Sequence, residues 1–390
     1  MMKKIFKFYN ACVYNMKEYI LIHRRKRNEI NKFQDKRRIE IYNEIKLDDD
    51  QRKKIDDLFL ENYGGKIPYT WHRHYTAFTG KFDENYFPEL LFIPEFEHFM
   101  NVNKAYSIVF SDKNMLPMLA EMADVKVPRV FLSRSAGAYR DSNYKFVSRD
   151  QAIDVLYNIG EIFVKPTTDS CSGQGCAVYN IKSGKDVSTQ KNIKDILDSM
   201  GDDFVIQERL QCHQSIKKIY SGSVNTFRVI TYRWKDKIFR MPSIMRIGQG
   251  GNYIDNAHAG GMFIAIDDDG TLHDTAFTEF KKTYEKHPDT HLIFSGHKIS
   301  FYDKVVDAAV RMHEMIPQLG VLHWDFTIDE YGQPVLVEVN VNGGGIWIVE
   351  MAHGCGAFGE NTASVLKWLR FIKSLPPIER RNYCFGKMKN

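Results

Sequence analysis

The sequence predicts an α+β protein with antiparallel sheets, preceded by a helical and basic N-terminal region. The first observation is that apolar residues recur at every second position over 324–328 and 335–341, as in half-buried strands. The second is the segment EYGQ (330–333) between them, whose composition is typical of a hairpin loop. The third is that short apolar runs alternate with helical patterns from residue 105 onwards. Together these observations predict sheets built from antiparallel strands.

The elements and the domains are predicted in a definite order along the chain. Strands are predicted at 106–110, 127–132, 162–166, 176–181, 204–210, 226–234 and 237–247, and helices at 114–123, 149–158, 192–200 and 303–316. Residues 61–110 are rich in aromatic residues and punctuated by prolines, which predicts an irregular segment that packs on the main body. The predicted domains are a basic helical region (1–60), this aromatic-rich segment (61–110), two α+β subdomains (111–206 and 207–372) and a tail (373–390).

Composition and charge narrow the class of protein. Of 390 residues, 43% are hydrophobic and 26% are charged, as in ordinary globular proteins, and the net charge is only +5. Six cysteines show neither zinc-ligand spacing nor a disulfide pattern, so reduced thiols are expected. The basic residues accompany no nucleic-acid reading motif, so no nucleic-acid partner is expected.

Residues 1–27 concentrate positive charge, with eight lysines and arginines against the single acid Glu18. Lys7 and Asn10 interrupt any signal-peptide core, and no run of about 18 apolar residues occurs, so we expect a cytoplasmic protein. Apolar residues recur at helical spacing beside the basic ones, which is typical of a helix on an anionic membrane surface. A helix packed on its own domain has the same pattern, so peripheral contact with the inner face of the membrane and internal packing both stay open.

Polar residues interrupt the apolar hairpin in a way that predicts a cluster. With a four-residue loop, Asp325 lies opposite Glu338 and His323 opposite Asn340, and opposed Cβ atoms are roughly 4.5 to 5.5 Å apart. Two adjacent carboxylates repel each other unless a cation lies between them. Carboxylate and amide oxygens suit Mg²⁺, so Asp325, Glu338 and Asn340 are predicted metal ligands. The alternative is an amphipathic hairpin whose polar face contacts water.

A second signal is the loop after the strand at 162–166, where Lys165 ends an apolar run. The loop residues 168–175 (TDSCSGQG) have backbone amides that can turn towards an anion, notably those of Ser172, Gly173 and Gly175. Neither a Walker A sequence nor a G-x-G-x-x-G fingerprint is present. An ordinary hairpin loop remains the alternative.

These parts, in this order, resemble the ATP-grasp superfamily over residues 105–372. The resemblance implies a fold in which two α+β subdomains clamp ATP, with Mg²⁺, most simply two ions, held on the hairpin. The cofactor-binding residues that it implies are Lys113, Lys165, Ser172, Gly173, Gly175, Glu208, Leu210 and Asn342, and the metal ligands are Asp325, Glu338 and Asn340. More narrowly, the segments 223–232 and 245–261 and the aromatic-rich lead-in are similar to the sugar-transfer-associated ATP-grasp group.

The resemblance implies a carboxylate-amine ligase that forms an acylphosphate from ATP, releases ADP and phosphate, and acts on small-molecule acid and amine substrates. A sugar acid or glycan component in surface polysaccharide biosynthesis is the implied context. Arg228, Arg246 and His323 are the candidate catalytic residues that would hold the carboxylate or its oxyanion, and segment 250–262 resembles a flap over the substrate. A kinase with Asp255 or His323 as base, and a nucleotide-binding module without turnover, are the alternatives.

Overall fold

The computed structural model describes residues 2–168 and 174–388. Its N-terminal part is helical throughout, as predicted for residues 1–60. The helices are α1 (Met2–Lys32), α2 (Lys36–Asn43), α3 (Asp49–Asn62), α4 (Thr70–Thr79), α5 (Glu89–Leu91), a π-helix (Phe92–Glu97) and α6 (His98–Met100). Asp48 caps α3 by accepting the backbone N–H of Gln51, whose side chain accepts the N–H of Asp48 in return.

The next part is built around the smaller of two sheets, and its strands pair antiparallel in the order β3, β2, β1, β7, β4, β5, β6. Its own core consists of apolar residues such as Leu132, Leu156 and Ile162. The elements are α7 (Lys104–Ser111), α8 (Leu116–Met122), β1 (Val130–Ser135), β2 (Ala138–Asp141), β3 (Phe146–Val147), α9 (Arg149–Leu156), β4 (Gly160–Pro166), β5 (Ala177–Lys182), β6 (Lys185–Asp186), α10 (Ile193–Ser199) and β7 (Phe204–Glu208).

The larger sheet has the order β13, β12, β11, β10, β8, β14, β15, with β9 paired to β8. Its elements are α11 (Gln214–Lys217), β8 (Phe227–Trp234), β9 (Lys237–Arg240), β10 (Ser243–Ile247), a 3₁₀-helix (Ala257–Ala259), β11 (Met262–Ile266), β12 (Ala276–Phe277), β13 (Thr283–Tyr284), α12 (Tyr302–Glu314), β14 (Val321–Ile328) and β15 (Pro334–Asn340). The chain ends with α13 (Trp347–His353), a 3₁₀-helix (Gly359–Asn361), α14 (Thr362–Ser374), α15 (Pro377–Arg380) and a 3₁₀-helix (Arg381–Tyr383). Mixed helices and antiparallel sheets confirm the predicted fold class.

The two faces of the larger sheet have different roles, because side chains alternate along a strand. One face, which includes Val229 and Trp324, packs against α12 in a largely apolar cluster, where Thr231 hydrogen-bonds both to Trp324 and to His313 of α12. The other face carries Ile230 and Ile244 under the N-terminal helices, α13 and α14. Two residues along the same strands, this second face carries Arg228 and Arg246 instead. The N-terminal helices therefore cover the apolar half of this face, and its charged half is left for the cleft described below.

The predicted pairing of the hairpin is confirmed, although the turn differs from the prediction. Asp325 lies opposite Glu338 and His323 opposite Asn340. The loop has five residues rather than four, since Ile328, not Asp329, pairs with Pro334. A β-bulge opposite the step from Asp325 to Phe326 leaves Val337 without an opposite residue. It restores the predicted register at Asp325 and Glu338.

Two local predictions are wrong. Residues 106–110 form part of the helix α7 rather than a strand, with Ser107 and Phe110 buried three residues apart and Ile108 exposed. A short apolar run does not distinguish a strand from a helix by its periodicity. The aromatic-rich segment is largely helical rather than irregular, but it packs on the main body as predicted, because Trp71 and Phe92 belong to the central core.

Candidate active site

A cleft of about 390 Å³ lies between the two sheets and is lined by residues from both. This size is ordinary for a small-molecule site. Ten of the predicted site residues line it: Lys113, Lys165, Glu208, Leu210, Arg228, Arg246, Asp325, Glu338, Asn340 and Asn342. The sequence therefore identified most of the polar residues of one cleft, although they come from segments up to 229 positions apart.

Asp325 is the centre of the ionic network on the larger sheet. Its carboxylate accepts two hydrogen bonds from Arg228, with Nε to Oδ1 at 2.6 Å and Nη2 to Oδ2 at 3.0 Å. Arg246 Nη2 lies 3.1 Å from the same Oδ2. Although burial raises the pKa of Asp325, the two guanidinium groups hold it below its ordinary value. Two cations thus share the carboxylate of Asp325, and Asp255 Oδ1 lies 3.8 Å from Arg246 Nη2 on the same wall of the cleft.

Strand order explains why these groups meet. β8 pairs with β14 so that Arg228 lies directly opposite Asp325. β10 pairs with β8 on its other side, which places Arg246 one strand further out on the same face.

Glu338 and the two lysines form the second charged group of the cleft. Lys113 Nζ lies 3.1 Å from Glu338 Oε1, and Lys165 donates to the backbone carbonyl of Val337 at 3.2 Å. Val337 is the bulged residue of β15 and has no opposite residue on β14. The same irregularity that sets the hairpin register thus provides an acceptor for a lysine of the other sheet.

Lys165 is 4% exposed, and burial is the main cause that lowers its pKa to about 8. Lys113 lowers the pKa further by like-charge repulsion, whereas Glu338 raises it. Such a lysine gains most from an anionic ligand, because the ligand charge offsets the cost of keeping the ammonium buried.

Asp325, Glu338 and Asn340 have the hard oxygen donors that Mg²⁺ prefers, and they lie together on the cleft wall. Glu338 and Asn340 fit an ion well, since the Glu338 side chain is 34% exposed. Asp325 fits less directly, because Arg228, Arg246 and the side-chain amide of Asn340 already donate to it. No group of three or more His, Cys, Asp or Glu side chains suited to a metal occurs within 2–168 and 174–388.

His323 does not take part in the cleft. It is 1% exposed, and the cleft walls do not include it. Burial lowers its pKa to about 3, so the ring is neutral at physiological pH. The ring packs against Phe92 and so tightly against Gly344 that a Cβ added there would lie 2.6 Å from it. The structure therefore does not support a protonated His323 that stabilises an oxyanion.

The predicted flap segment contacts the residue that directly follows the glycine-containing loop. Tyr253, in the flap segment, donates its hydroxyl hydrogen to the backbone carbonyl of Cys176 at 3.2 Å. Gly175 has a φ of +74° and leaves no room for a Cβ beside Pro166, so glycine is required there. Gly175 itself does not line the cleft, and Ser172 and Gly173 lie outside the described residues.

The remaining predicted cofactor-binding residues lie where the two sheets approach each other. Glu208, at the end of β7, accepts the backbone N–H of Arg129 at 2.9 Å. Leu210 follows it in the chain, and Asn342 follows β15. All three residues line the cleft, as the resemblance implied.

Two polar contacts of the site are not predicted by the sequence. Thr226 joins Arg246 to Asp255, since its hydroxyl accepts from Arg246 at 2.7 Å and donates to Asp255 at 2.6 Å. Glu97 accepts the backbone N–H groups of Gly343 and Gly344, at 2.9 and 3.2 Å, directly after the hairpin. The motif that contains Thr226 was recognised without its role, whereas no signal in the sequence connects Glu97 to a loop 246 residues away.

Comparisons with known proteins give a family model that matches the chain and several similar solved structures. The family model described as sugar-transfer associated ATP-grasp matches residues 92–365. No curated protein matches the chain. Similar solved structures include an L-amino acid ligase from Bacillus licheniformis (11% identity, 66% of this chain and 48% of that chain, TM-score 0.35) and a putative ATP-grasp superfamily protein from Archaeoglobus fulgidus (14%, 69% and 60%, TM-score 0.35). Another is an N5-carboxyaminoimidazole synthetase from Staphylococcus aureus complexed with ADP (12%, 60% and 45%, TM-score 0.35).

The chain spans about half the length of these proteins, from 45% to 60%. Among the residues described, no helix is both long enough and apolar enough to cross a membrane.

Proposed function

The chain belongs to the sugar-transfer associated ATP-grasp family, and on this premise we propose that it is an ATP-dependent carboxylate-amine ligase. The observation that carries the proposal is the composition of the cleft. Lys113 and Lys165 line the cleft with Glu338. Beside them, Arg228 and Arg246 both contact Asp325. Such a site positions substrates and stabilises charge without a protein nucleophile.

Lys113 and Lys165 are proposed to neutralise the phosphates of ATP. Both are nearly buried, at 7% and 4% exposure, so their charges act in a medium that screens them poorly. Lys113 would exchange its contact with Glu338 for a phosphate oxygen. Glu338 and Asn340, with Asp325 nearby, would hold Mg²⁺, which when bound neutralises charge on the β- and γ-phosphates.

Arg228 and Arg246 are proposed to bind the carboxylate substrate. Each keeps donors beyond those that Asp325 and Thr226 accept, since a guanidinium has five N–H groups. Asp325 orients the guanidinium of Arg228, and Thr226 together with Asp325 orients that of Arg246. A carboxylate or an acyl oxyanion would therefore meet donors that are already oriented.

The proposed reaction has two steps. A carboxylate oxygen attacks the γ-phosphorus of ATP, an O–P bond forms, and the bond from phosphorus to the β–γ bridging oxygen breaks to release ADP. The nitrogen of an amine then attacks the acyl carbon, and the C–O bond to phosphate breaks. The products are an amide, ADP and inorganic phosphate, with the lost amine proton passing to solvent or phosphate.

The acid is proposed to be a sugar acid or glycan component, and the amine an amino acid, within surface polysaccharide biosynthesis. The sugar-transfer association of the family supports this choice of class. The volume of the cleft, about 390 Å³, supports small-molecule substrates.

The test is nucleotide turnover with Mg-ATP against pooled amino acids and sugar acids, with and without hydroxylamine. The ligase predicts ADP, phosphate and a trapped hydroxamate, all strongly reduced in Glu338→Gln. Glu330→Gln, in the solvent-exposed loop of the same hairpin, is the matched control and should keep its activity. A phosphorylated acceptor without hydroxamate would identify a kinase, and bound nucleotide without products a non-catalytic module.

We also propose that the outer face of α1 contacts an anionic membrane surface. Its inward face includes Glu18, which pairs with Arg380 and with His98 at 3.1 Å, so the only acid of residues 1–27 points inward. The outward face carries Met16, Tyr19 and Ile20, at 56% to 65% exposure, followed by exposed Arg24 and Arg27. Exposed apolar residues beside exposed positive charge suit the interface of an anionic bilayer.

Cosedimentation with vesicles of phosphatidylcholine, with and without phosphatidylserine, tests this contact. Binding is expected only to the anionic vesicles and should be lost in Arg24→Glu/Arg27→Glu. Lys191→Glu/Lys194→Glu makes the same change of charge at exposed positions of the smaller sheet domain and should bind as the wild type does. Equal loss in both variants would mean that only net charge matters.

A further inference from the structure

A second cavity, of about 200 Å³, lies outside the cleft. Its walls come from the N-terminal helices on one side and from the segments around His258 and Trp347 on the other. The lining residues are Glu29, Lys32, Phe33, Arg38, Tyr75, Glu89, His258, Glu279 and Trp347. None of these lining residues holds ATP, Mg²⁺ or the carboxylate in the proposed ligase reaction.

The most buried polar residues of the cavity have unused hydrogen-bonding capacity. Glu89 is 4% exposed, and its Oε1 accepts the backbone N–H groups of Ile346 and Trp347 at 2.6 and 2.8 Å. Its Oε2 has no hydrogen-bond partner among the described residues, and neither has the hydroxyl of Tyr75, which is 0% exposed. Buried polar atoms without partners are costly, so a ligand or solvent is expected to satisfy them.

The other charged groups of the cavity are already paired. Arg38 donates to Glu279 at 2.7 Å, and His258 contacts the same carboxylate at 2.7 Å. Glu29 accepts from Lys32, whose side chain is 52% exposed. Glu89 is thus left as a carboxyl group near Glu29 with no cation of its own.

Three aromatic residues complete the walls: Phe33, Tyr75 and Trp347. Aromatic faces attract cations, most strongly when the cation is shielded from water. Two nearby glutamates with aromatic walls therefore favour a cationic ligand, because a cation stabilises the ionised form of Glu89 and an anion does not.

We propose that this cavity binds an organic ammonium group, with Glu89 and Tyr75 as its hydrogen-bond acceptors and the aromatic rings around it. Its position suggests the occupant. Asp255 and Asn342 line the cleft, and His258 and Trp347, three and five residues further along the chain, line the cavity, so two short segments of the chain contribute to both sites. The amine substrate or a second ammonium group on it is the natural occupant, a step that rests on the proposed ligase function.

Protonation gives the site a specific signature. Burial and the repulsion of Glu29 raise the pKa of Glu89 to about 8, while Lys32 and the two backbone N–H groups lower it. Arg38 and His258 line the remaining walls, and Glu350 interacts electrostatically with Glu89 from outside the cavity. An ammonium ion favours the ionised carboxylate, so its binding at pH 7 releases a proton and tightens as the pH rises towards 8.

The experiment is isothermal titration of the full chain, without ATP, in two buffers of different ionisation enthalpy. The probes are ethanolamine, 1,5-diaminopentane and glucosamine, each beside a neutral counterpart: ethylene glycol, 1,5-pentanediol and N-acetylglucosamine. At least one ammonium probe should bind with proton release while its counterpart does not. Glu89→Gln should weaken binding about tenfold or more, as expected when a charged hydrogen-bond acceptor is lost.

Glu350→Gln is the matched control, because Glu350 is also buried and also accepts two backbone N–H groups, from Phe87 and Ala357, but does not line the cavity. It should bind the probe as the wild type does. Tyr75→Phe removes only an unpartnered hydroxyl, so it should fold normally and bind the probe several times more weakly.

Absence of preference for every ammonium probe, or equal loss in Glu89→Gln and Glu350→Gln, would overturn the proposal. Because these titrations contain no ATP, they succeed or fail independently of the ligase reaction. The link to the amine substrate has its own test: the probe that binds should compete with the amine in turnover, and unaffected turnover would overturn that link alone.

Discussion

Lys165 connects the charge state of one buried residue to nucleotide binding. Its pKa is lowered to about 8, chiefly by burial, so the ammonium is present at pH 7 and is lost as the pH rises through 8. We expect ATP to bind more weakly at pH 9 than at pH 7, and Lys165→Arg to remove most of this dependence, because arginine stays protonated. Equilibrium binding of an ATP analogue at both pH values checks this, and an unchanged pH dependence in the variant would contradict it.

Arg228 should matter for the carboxylate substrate more than for ATP. Arg228→Lys loses the two-point contact with Asp325, so we expect turnover to fall about 10- to 100-fold, as for loss of a charged hydrogen bond, with ATP affinity nearly unchanged. Arg233→Lys, on the same strand but outside the cleft, is the control. Steady-state kinetics and ATP binding separate the two effects, and a parallel loss of ATP affinity would place Arg228 at the phosphates instead.

For single residues, the sequence predicts which side chains lie at the site better than it predicts which groups they contact. Asp325 and Glu338 were predicted to face each other because a hairpin fixes its own register over a few residues. The contact between Arg228 and Asp325 joins residues 97 positions apart and depends on strand order, which no local pattern encodes. His323 alternates with Asp325 in the sequence, yet the segment after the hairpin covers it, so its burial was not predictable from periodicity.

The π-helix Phe92–Glu97 supports the loop after the hairpin through the side chain of Glu97. Glu97→Ala would leave the N–H groups of Gly343 and Gly344 without their acceptor, so we expect a loss of about 1 to 3 kcal/mol in the free energy of unfolding and a marked fall in turnover. Glu95→Ala is matched in element and burial but contacts Tyr63, Lys26 and Lys373.

Urea denaturation and turnover assays of both variants distinguish the roles of the two glutamates. Both should lose stability, but only Glu97→Ala should also lose turnover under conditions where the protein remains folded. Normal turnover in folded Glu97→Ala would show that the loop after the hairpin holds its conformation without this element.

The elements of the sheets were predicted more accurately than those of the aromatic-rich segment. Strands such as β4 and β5 alternate over enough residues to be recognised, whereas the aromatic-rich segment owes its helices to packing on the larger sheet. Pro94 within the π-helix illustrates this, since proline in a sequence normally indicates a helix end.

The stability of the whole molecule should pass through a maximum between about pH 6 and 7. Burial lowers the pKa of His72, His74, His313, His323 and His353 to about 3 or 4. The unfolded chain then binds more protons below pH 6.5, so these groups make stability rise from pH 4 to 6.5. Burial raises the pKa of Glu97 to about 7 and of Glu89 to about 8. The folded chain therefore keeps these protons at pH values where the unfolded chain has released them, so the two groups lower the stability as the pH rises towards 8.

Urea denaturation at pH 5, 6.5 and 8 checks this maximum. Glu89→Gln should flatten the fall between pH 6.5 and 8 and steepen the rise between pH 5 and 6.5, because the buried carboxyl of Glu89 opposes that rise once the unfolded chain has released its proton. A steady increase from pH 5 to 8 in the wild type would contradict the account of the buried glutamates.

The larger sheet connects the core to the cleft. One of its faces is apolar where the N-terminal helices cover it and charged where it lines the cleft. The central claim is that ATP activates a carboxylate in this cleft. The most direct test supplies the accepted acid with ¹⁸O in its carboxylate and measures the mass of the phosphate released. An acylphosphate predicts one ¹⁸O atom in each phosphate, since the acyl C–O bond breaks when the amine attacks. Unlabelled phosphate, or phosphate retained on an acceptor hydroxyl, would contradict the claim.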